Sequence, residues 1–162
     1  MHRYCLEPIG IVRVDASKEE VKNSYEGVRG YVEIFEQYVS GLKCLEGFSH
    51  IILITYLHET TEEQRRVLVV KPRRLVRFGL SLEELPEIGV FASDSPHRPN
   101  PIGLHIVRLE RIEGNRLYVS GLDAFDGTPV LDIKPYTVSR RVESPEYPKW
   151  YVELRRKTGR EV

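Results

Sequence analysis

The sequence predicts a mainly β protein, a single-domain β-barrel with short helices and a C-terminal helical tail. Many short segments alternate apolar and polar residues, as strands with one buried face do, and turn-forming residues separate them. Helical patterns are few, and no internal repeat or low-complexity linker is present. We therefore predict a barrel domain over residues 1–140 and a tail with a short basic helix over residues 141–162.

Composition limits the classes of function. The 162 residues suffice for one domain with a substantial core. Lys plus Arg and Asp plus Glu each number 24, so any nucleic-acid binding must come from a local basic patch. No apolar run approaches a membrane span and no signal-peptide pattern appears, so we expect a cytoplasmic protein. The two cysteines, Cys5 and Cys44, form neither a disulfide framework nor a zinc spacing, and no metal is expected.

Three segments in the first third of the chain have strand patterns, and one has a helix signal. Residues 8–14 form a short β-type run, and residues 28–35 alternate apolar and polar side chains. Between them, Ser17 followed three residues later by Glu20 is a capping-box signal for a weak helix. Residues 50–58 are the most continuously apolar and β-branched stretch, so we predict a central strand there.

Later segments predict shorter elements. Residues 64–75 are basic around an apolar centre, and Pro72 favours an edge strand that stops there. Ser81 with Glu84 predicts a capped single helical turn. The segment 146–160 predicts an amphipathic helix with a basic end.

Turn signals define the last strands. Segments 104–112 and 116–122 are predicted to form a hairpin, because the Gly-Asn pair between them is a two-residue turn signal. A second turn, at Asp126-Gly127, precedes a strand over residues 129–133.

The chain is organised around residues 89–104, Gly-Val-Phe-Ala-Ser-Asp-Ser-Pro-His-Arg-Pro-Asn-Pro-Ile-Gly-Leu. We predict a strand, a rigid loop and a strand, because each proline fixes its own φ and pushes the preceding residue into extended conformations. Such a stiff loop is either a binding surface that presents His97, Arg98 and Asn100 or a long corner between two strands whose prolines only prevent edge pairing. The polar residues between the prolines favour the binding loop. Two interpretations of Arg98 stay open: it binds an anionic group through parallel hydrogen bonds, or it satisfies loop carbonyls.

Polar residues also mark the ends of predicted strands. His58 and Glu59 follow the apolar strand, where a histidine either orients a ligand, moves a proton or is simply solvated. Asp123 and Asp126 flank two apolar residues at a turn. Their carboxylates can accept hydrogen bonds from ribose hydroxyls or an amine, although turn chemistry alone also explains Asp126.

Common catalytic motifs are missing from the sequence. It contains no Walker loop, dinucleotide-binding G-x-G-x-x-G, H-E-x-x-H or nucleophile elbow. Asp132 and Lys134 point to the same face of a predicted strand, and we expect that they pair with each other or bind substrate.

Several motifs in one order resemble the TrmO family, also called YaeB or TsaA-like, over about residues 8–136. The motifs are Gly89-Val-Phe-Ala, Ser95, Arg98-Pro-Asn-Pro-Ile-Gly103, Asp123, Asp126-Gly-Thr-Pro-Val130, Asp132-Ile-Lys-Pro-Tyr136, Glu46-Gly-Phe-Ser-His50 and the strand ending in His58. The resemblance implies an S-adenosylmethionine-dependent tRNA methyltransferase that modifies the N6 nitrogen of threonylcarbamoyladenosine beside the anticodon. It also implies a β-barrel unlike the Rossmann methyltransferases, acting as a homodimer.

The resemblance also assigns roles to residues. The expected cofactor-binding residues are His58, Glu59, Asp94, Leu104, Asp123, Ala124, Phe125 and Asp126. Residues 22–24 align loosely with a further cofactor segment. The polar chemistry of these positions, and not the resemblance, makes Asp123 or His58 the expected catalytic proton acceptor. Substrate contacts are expected from Arg98, Asn100 and Lys134.

Two departures from the family pattern bear on function. Asp94 stands where the bacterial pattern has arginine, which reverses a charge beside the expected cofactor. The sequence ends soon after the barrel, whereas longer bacterial members carry an additional C-terminal domain, so tRNA contacts from such a domain are not assumed here.

A basic set is expected to contact tRNA phosphates. Its members are Arg65, Arg66, Lys71, Arg73, Arg74, Arg155, Arg156 and Lys157. The alternative to an enzyme is a non-catalytic barrel that binds S-adenosylmethionine or a protein partner.

Overall fold

A computed structural model describes residues 4–160 and shows a closed barrel of six antiparallel strands. The strands in the described residues are β1 (Gly10–Arg13), β2 (Val28–Ile34), β3 (His50–Tyr56), β4 (Val69–Val70), β5 (Ile88–Gly89), β6 (Ile102–Glu113), β7 (Arg116–Leu122) and β8 (Pro129–Pro135). Around the barrel the order is β1, β2, β7, β6, β3 and β8, which closes on β1, while β4 pairs with β5.

The helical segments are short. They are α1 (Lys18–Asn23), α2 (Glu62–Arg65), α3 (Lys149–Thr158) and the 3₁₀ segments Glu36–Leu42, Arg73–Phe78, Val90–Ala92 and Val138–Arg140. The predicted mainly β fold, with a barrel, short helices and a C-terminal helix, is confirmed.

Alternation along the strands builds the barrel core. Successive strand residues point to opposite faces, so every second side chain enters the interior. Fully buried interior side chains include Val12, Val32, Ile51, Leu53, Val107, Leu117, Val119 and Val130. Strand β3 pairs with β6 on one side and β8 on the other, which confirms the predicted central strand.

The predicted hairpin between β6 and β7 is also present. Glu113 pairs with Arg116 across a two-residue turn, Gly114-Asn115. Gly114 has a φ of 59°, a left-handed conformation that glycine adopts without a steric penalty. Strand β3 ends at Tyr56, two residues before the predicted end, because its partner on β6 begins at Ile102, opposite Tyr56.

The chain divides into two compact units. Residues 4–58 and Ile102–Arg140 form the barrel, and Glu59–Pro101 with residues 141–160 form the second unit. In the second unit, Leu154 of helix α3 is buried among leucines from the other segment, and Trp150 packs against the same cluster. Those leucines are Leu75, Leu80 and Leu85. The domain division predicted at residue 140 stays a prediction.

The middle of the chain is less regular than predicted. The edge strand expected within residues 64–75 is reduced to β4, which ends before Pro72 as predicted, and helical segments flank it. Ser81 donates its N–H to the Glu84 carboxylate at 2.9 Å, but the segment forms a turn and no helix. Pro86 disfavours helical conformation in the residue before it, so the turn does not extend.

The prediction of a first strand at the start of residues 89–104 was largely wrong. Only Ile88–Gly89 is extended and paired, and Val90–Ala92 forms a 3₁₀ turn. The second strand begins at Ile102 as a long strand of twelve residues. No helix within residues 4–160 is long and apolar enough to cross a membrane.

Candidate functional site

The topology gathers many of the predicted site residues at one end of the barrel, which we call the upper rim. Within the barrel unit, this rim consists of the ends of β1, β3 and β7, the starts of β2, β6 and β8, and the residues of that unit next to them. They share one end because neighbouring strands run in opposite directions. His58, Leu104 and residues 123–126 therefore belong to the upper rim, and so do residues 22–24 before β2.

Helix α1, at the upper rim, has a capped first turn and contacts the β7–β8 turn. The Ser17 hydroxyl accepts the Glu20 N–H at 3.2 Å, and the Glu20 carboxylate accepts the Ser17 N–H at 2.7 Å, so the predicted capping box is confirmed. The Ser17 hydroxyl, and secondly the Ser17 N–H, lower the pKa of the Glu20 carboxyl. Val21 is buried, and Lys22 Nζ lies 5.5 Å from the centre of the Phe125 ring. The helix thus places an ammonium group against the β7–β8 turn.

The β7–β8 turn is fixed by contacts with β1. Asp126 accepts the Val14 N–H at 3.2 Å, and Gly127 donates its N–H to the Val12 carbonyl at 2.9 Å. Gly127 has a φ of 79°, which suits glycine. Asp126 therefore serves the turn, as turn chemistry predicted, while Asp123 places an exposed carboxylate directly after β7.

Strand β6 presents an apolar side chain at the same rim. Leu104 is 63% exposed on the outer face, opposite Ile54 of β3, while its neighbours Gly103 and His105 are buried. His58 is exposed two residues after the end of β3. The upper rim therefore carries the apolar surface of Leu104 and the charged or polar groups of Lys22, Asp123 and His58. Together they suit a ligand that has both apolar and charged parts.

Sequence reasoning missed a buried polar pair inside the barrel near this rim. Thr55 is fully buried, and its Oγ1 lies 2.9 Å from Nε2 of His105, which is also buried. The alternation of Gly103, His105 and Val107 along β6 was the signal that could have placed the imidazole inside. Gly103 leaves room for the pair, since a Cβ there would lie 2.8 Å from His105 Nε2 and closer still to Thr55 Oγ1.

Replacing Gly103 with alanine is expected to destabilise the protein by about 1–3 kcal/mol, because the new methyl group meets buried atoms of Thr55 and His105. Chemical denaturation measures the loss in the free energy of unfolding. The cost should shrink in a Thr55→Ala background, since the nearest obstructing atom is then gone. Gly41→Ala is the control, because a Cβ added at Gly41 would meet no atom within 4 Å. Equal stability of Gly103→Ala and wild type would contradict the steric argument.

Replacing Ser17 with alanine is expected to cost about 1 kcal/mol of stability through loss of the N-cap. The pKa of Glu20 should rise toward its ordinary value, as an NMR titration would show. Because the folded-state pKa of Glu20 is lowered, its contribution to stability is present above its unfolded-state pKa and is lost as the pH falls through the folded-state pKa. The difference from wild type should therefore narrow in acid. Ser40→Ala, on an exposed 3₁₀ segment, is the control.

The remaining predicted residues belong to the second unit or to strand β8. Glu59, Asp94 and Asn100 are exposed in the second unit. Lys134 lies near the end of β8 away from the upper rim, and its Nζ is 2.7 Å from the Asp132 carboxylate, as the pairing interpretation predicted. The topology does not bring Lys134 to the residues of the upper rim, and its role in substrate binding stays a prediction.

Arg98 is held by the loop that contains it. Its Nε donates to the Ser95 carbonyl at 2.8 Å, and its Nη2 donates to the carbonyls of Val90, at 2.7 Å, and Ser93. The structure therefore supports the interpretation that Arg98 satisfies loop carbonyls. Arg65 adds a further contact, because its Nε donates to the Pro99 carbonyl at 3.1 Å. Two arginines thus fix the proline-rich loop from within the second unit.

Comparison with known proteins identifies the family. The family model described as the tRNA-methyltransferase O N-terminal domain matches residues 20–140, which is most of the chain. The chain belongs to the TrmO family. The match runs through both the barrel strands and residues 59–101, which include the proline-rich loop.

Relatives within and beyond archaea share this domain. A probable S-adenosyl-L-methionine-binding protein of Pyrococcus abyssi is 40% identical over 136 residues, covering 82% of this chain and 67% of that protein. A tRNA (adenine(37)-N6)-methyltransferase of Mus musculus is 42% identical over 103 residues, covering 64% of this chain and 22% of that protein.

A solved structure has the same fold. The crystal structure of TrmO from Pseudomonas aeruginosa has a TM-score of 0.65 and 31% identity, covering 90% of this chain and 61% of that chain. This chain thus spans less than two thirds of the Pseudomonas aeruginosa protein and under a quarter of the mouse one.

Proposed function

We propose that this TrmO-family protein is an S-adenosylmethionine-dependent methyltransferase that acts on tRNA, at the N6 nitrogen of threonylcarbamoyladenosine beside the anticodon. The observation that carries the proposal is the upper rim, where the barrel positions matched to the family's cofactor residues meet at one end of the fold. The name of the Pyrococcus abyssi relative indicates the cofactor, and the name of the mouse relative indicates the substrate class.

The residues of the upper rim fit the chemistry of the cofactor. Leu104 offers an exposed apolar surface for the adenine ring or the carbon chain. The Asp123 carboxylate can accept hydrogen bonds from ribose hydroxyls or the ammonium group. Lys22, beside Phe125, offers a cation for the carboxylate of the methionine part. Ala124, which is buried, and Asp126, which accepts the Val14 N–H, hold the turn that carries Asp123 and Phe125.

The proposed reaction requires placement and one proton transfer. Bound S-adenosylmethionine would supply the methyl group as an electrophile to the N6 nitrogen, with the electron pair of the broken carbon–sulfur bond left on sulfur. In-line placement of the two reactants provides most of the acceleration in such transfers. The N6 nitrogen also loses its proton, and we assign its removal to the Asp123 carboxylate or the His58 imidazole at the upper rim.

The predicted tRNA contacts fall in the second unit. Several of the eight basic residues proposed have partners within that unit, among them Arg65 with Glu62 and Pro99, Lys71 with the Leu82 carbonyl, and Lys157 with Glu84. Arg66, Arg73 and Arg156 are exposed, and we assign the phosphate contacts first to these three. We propose in addition that the protein acts in the cytoplasm as a homodimer, as the family resemblance implies.

The non-catalytic alternative rests on one observation, that the Pyrococcus abyssi relative is named only as a binding protein. In that case the upper rim would hold S-adenosylmethionine without transferring its methyl group.

Methyl transfer to defined tRNAs tests the proposal. The protein is incubated with isotope-labelled S-adenosylmethionine and tRNA that carries threonylcarbamoyladenosine, and with matched tRNA that lacks the threonylcarbamoyl group. We expect one labelled methyl on the N6 nitrogen of the modified nucleoside in digests of the first tRNA and none in the second. Label on another nucleoside would overturn the proposed target. Cofactor binding without any transfer to either tRNA would favour the non-catalytic alternative.

A further inference from the structure

An exposed aromatic ring stands in the proline-rich loop of the second unit. Phe91 is 84% exposed, although it lies in an apolar segment, and the preceding residue, Val90, is buried. Single exposed apolar side chains are common in folded proteins, so a binding role depends on how this ring is held and on what surrounds it. The ring is not part of the predicted cofactor or substrate set.

The backbone on both sides of Phe91 is fixed. The Val90 N–H donates to the Leu68 carbonyl at 3.0 Å, and the Val90 carbonyl accepts from Arg98 Nη2 at 2.7 Å. On the other side, the Ser93 carbonyl accepts from the same Nη2, and the Ser93 hydroxyl donates to the Val90 carbonyl at 3.2 Å. The ring is therefore presented on a braced backbone, which lowers the entropy lost when a ligand binds.

The surroundings favour a single flat ligand over a protein partner. The nearest exposed apolar side chains along the paired segment are Leu68 and Val69. Three such side chains form a small apolar surface, which suits one flat ligand better than the apolar core of a protein interface. Polar Asp94 and Asn100, exposed in the same loop, provide hydrogen-bonding groups for the edges of a base.

We infer that Phe91 is a stacking platform for an unpaired nucleobase of the RNA substrate. This inference rests on the proposed function, because a base that reacts at an exocyclic nitrogen must leave its stack, and an aromatic side chain replaces the neighbour that it loses. Stacking on an aromatic ring depends on the ring's flat face and not only on apolar area. Arg98 acts here as a positioning residue, since it fixes the backbone that bears the ring.

The test separates stacking from simple apolar contact. Dissociation constants are measured for wild type, Phe91→Leu and Phe91→Trp with an anticodon stem-loop RNA and with a fully paired hairpin of equal length. We expect Phe91→Leu to bind the stem-loop about 5- to 150-fold more weakly, and Phe91→Trp to bind it like wild type. Neither variant should alter binding to the paired hairpin. Val138→Ala, which changes another exposed apolar residue, is the control.

The tryptophan variant gives an independent readout. Stem-loop RNA should quench the fluorescence of the indole at position 91, and wild type, whose only tryptophan is Trp150, reports the background. Wild-type affinity in Phe91→Leu, or no quenching in Phe91→Trp, would overturn the inference. A fall in molecular mass of Phe91→Leu in solution would also overturn it, by assigning the ring to contact with a second copy.

The outcomes also distinguish this inference from the proposed function. Stem-loop binding that depends on the aromatic ring, without methyl transfer, would uphold the stacking platform and contradict the enzyme. Methyl transfer by Phe91→Leu with unchanged RNA affinity would uphold the enzyme and contradict the stacking platform. Failure of the wild-type protein to bind stem-loop RNA would contradict both.

Discussion

Alanine at both Asp123 and His58 is expected to lower kcat by about 100- to 10,000-fold, because the N6 nitrogen then lacks a side chain to accept its proton. Both residues lie at the upper rim and both are exposed, so their replacement should leave the fold intact. The measurement is single-turnover methyl transfer at saturating cofactor and tRNA. Comparison of the single variants then assigns the role, since only the proton acceptor should reproduce most of the loss.

Glu36→Ala provides the control for this pair. Glu36 is an exposed carboxylate in the segment between β2 and β3, at the end of the barrel opposite the upper rim. It should leave kcat unchanged. Wild-type turnover by the Asp123→Ala, His58→Ala double variant would exclude both residues as proton acceptors.

Replacing Arg98 with alanine is expected to lower turnover by about 100-fold and stability by about 2 kcal/mol. The guanidinium binds three carbonyls of its own loop, and hydrogen bonds from a charged donor are among the stronger ones in proteins. Loss of this bracing should displace the loop, and small displacements of positioning elements reduce rates by this order. Thermal unfolding and limited proteolysis within residues 90–100 measure the structural part of the effect.

Lysine at position 98 should rescue little of this loss. A lysine ammonium is a compact group and cannot reproduce the planar fork that reaches the carbonyls of Val90 and Ser95 together. Arg141→Ala, which removes an exposed arginine of the same unit, is the control and should resemble wild type. Full stability and turnover in Arg98→Ala would show that the prolines alone hold the loop.

The barrel was predictable because its signals are local and repeated. Alternation along β2, β6 and β7 and the Gly-Asn turn determine strand, face and connection without information from distant residues. The capping box at Ser17 and Glu20 was equally visible, because both partners lie within one turn. The upper rim then follows from strand direction alone.

The features that sequence reasoning missed depend on contacts between distant segments. Phe91 fell within the first strand predicted for residues 89–104, but Val90–Ala92 forms a 3₁₀ turn, and Arg98 binds the carbonyls on both sides of the exposed ring. His105 is buried because Thr55, on another strand, supplies a hydrogen-bond partner. Lys134 fell within a family motif, yet the direction of β8 carries it away from the upper rim.

Calorimetric titration with S-adenosylmethionine tests most directly whether the upper rim is the cofactor site. We predict saturable binding by wild type and unchanged binding by Glu36→Ala. Asp123→Ala should bind at least about tenfold more weakly, which corresponds to the loss of roughly one charge-assisted hydrogen bond. An Asp94→Arg variant measured alongside shows how far the reversed charge in the loop affects affinity. Absence of binding by both wild type and Asp94→Arg, or equal affinity of wild type and Asp123→Ala, would contradict the assignment of the cofactor to this rim.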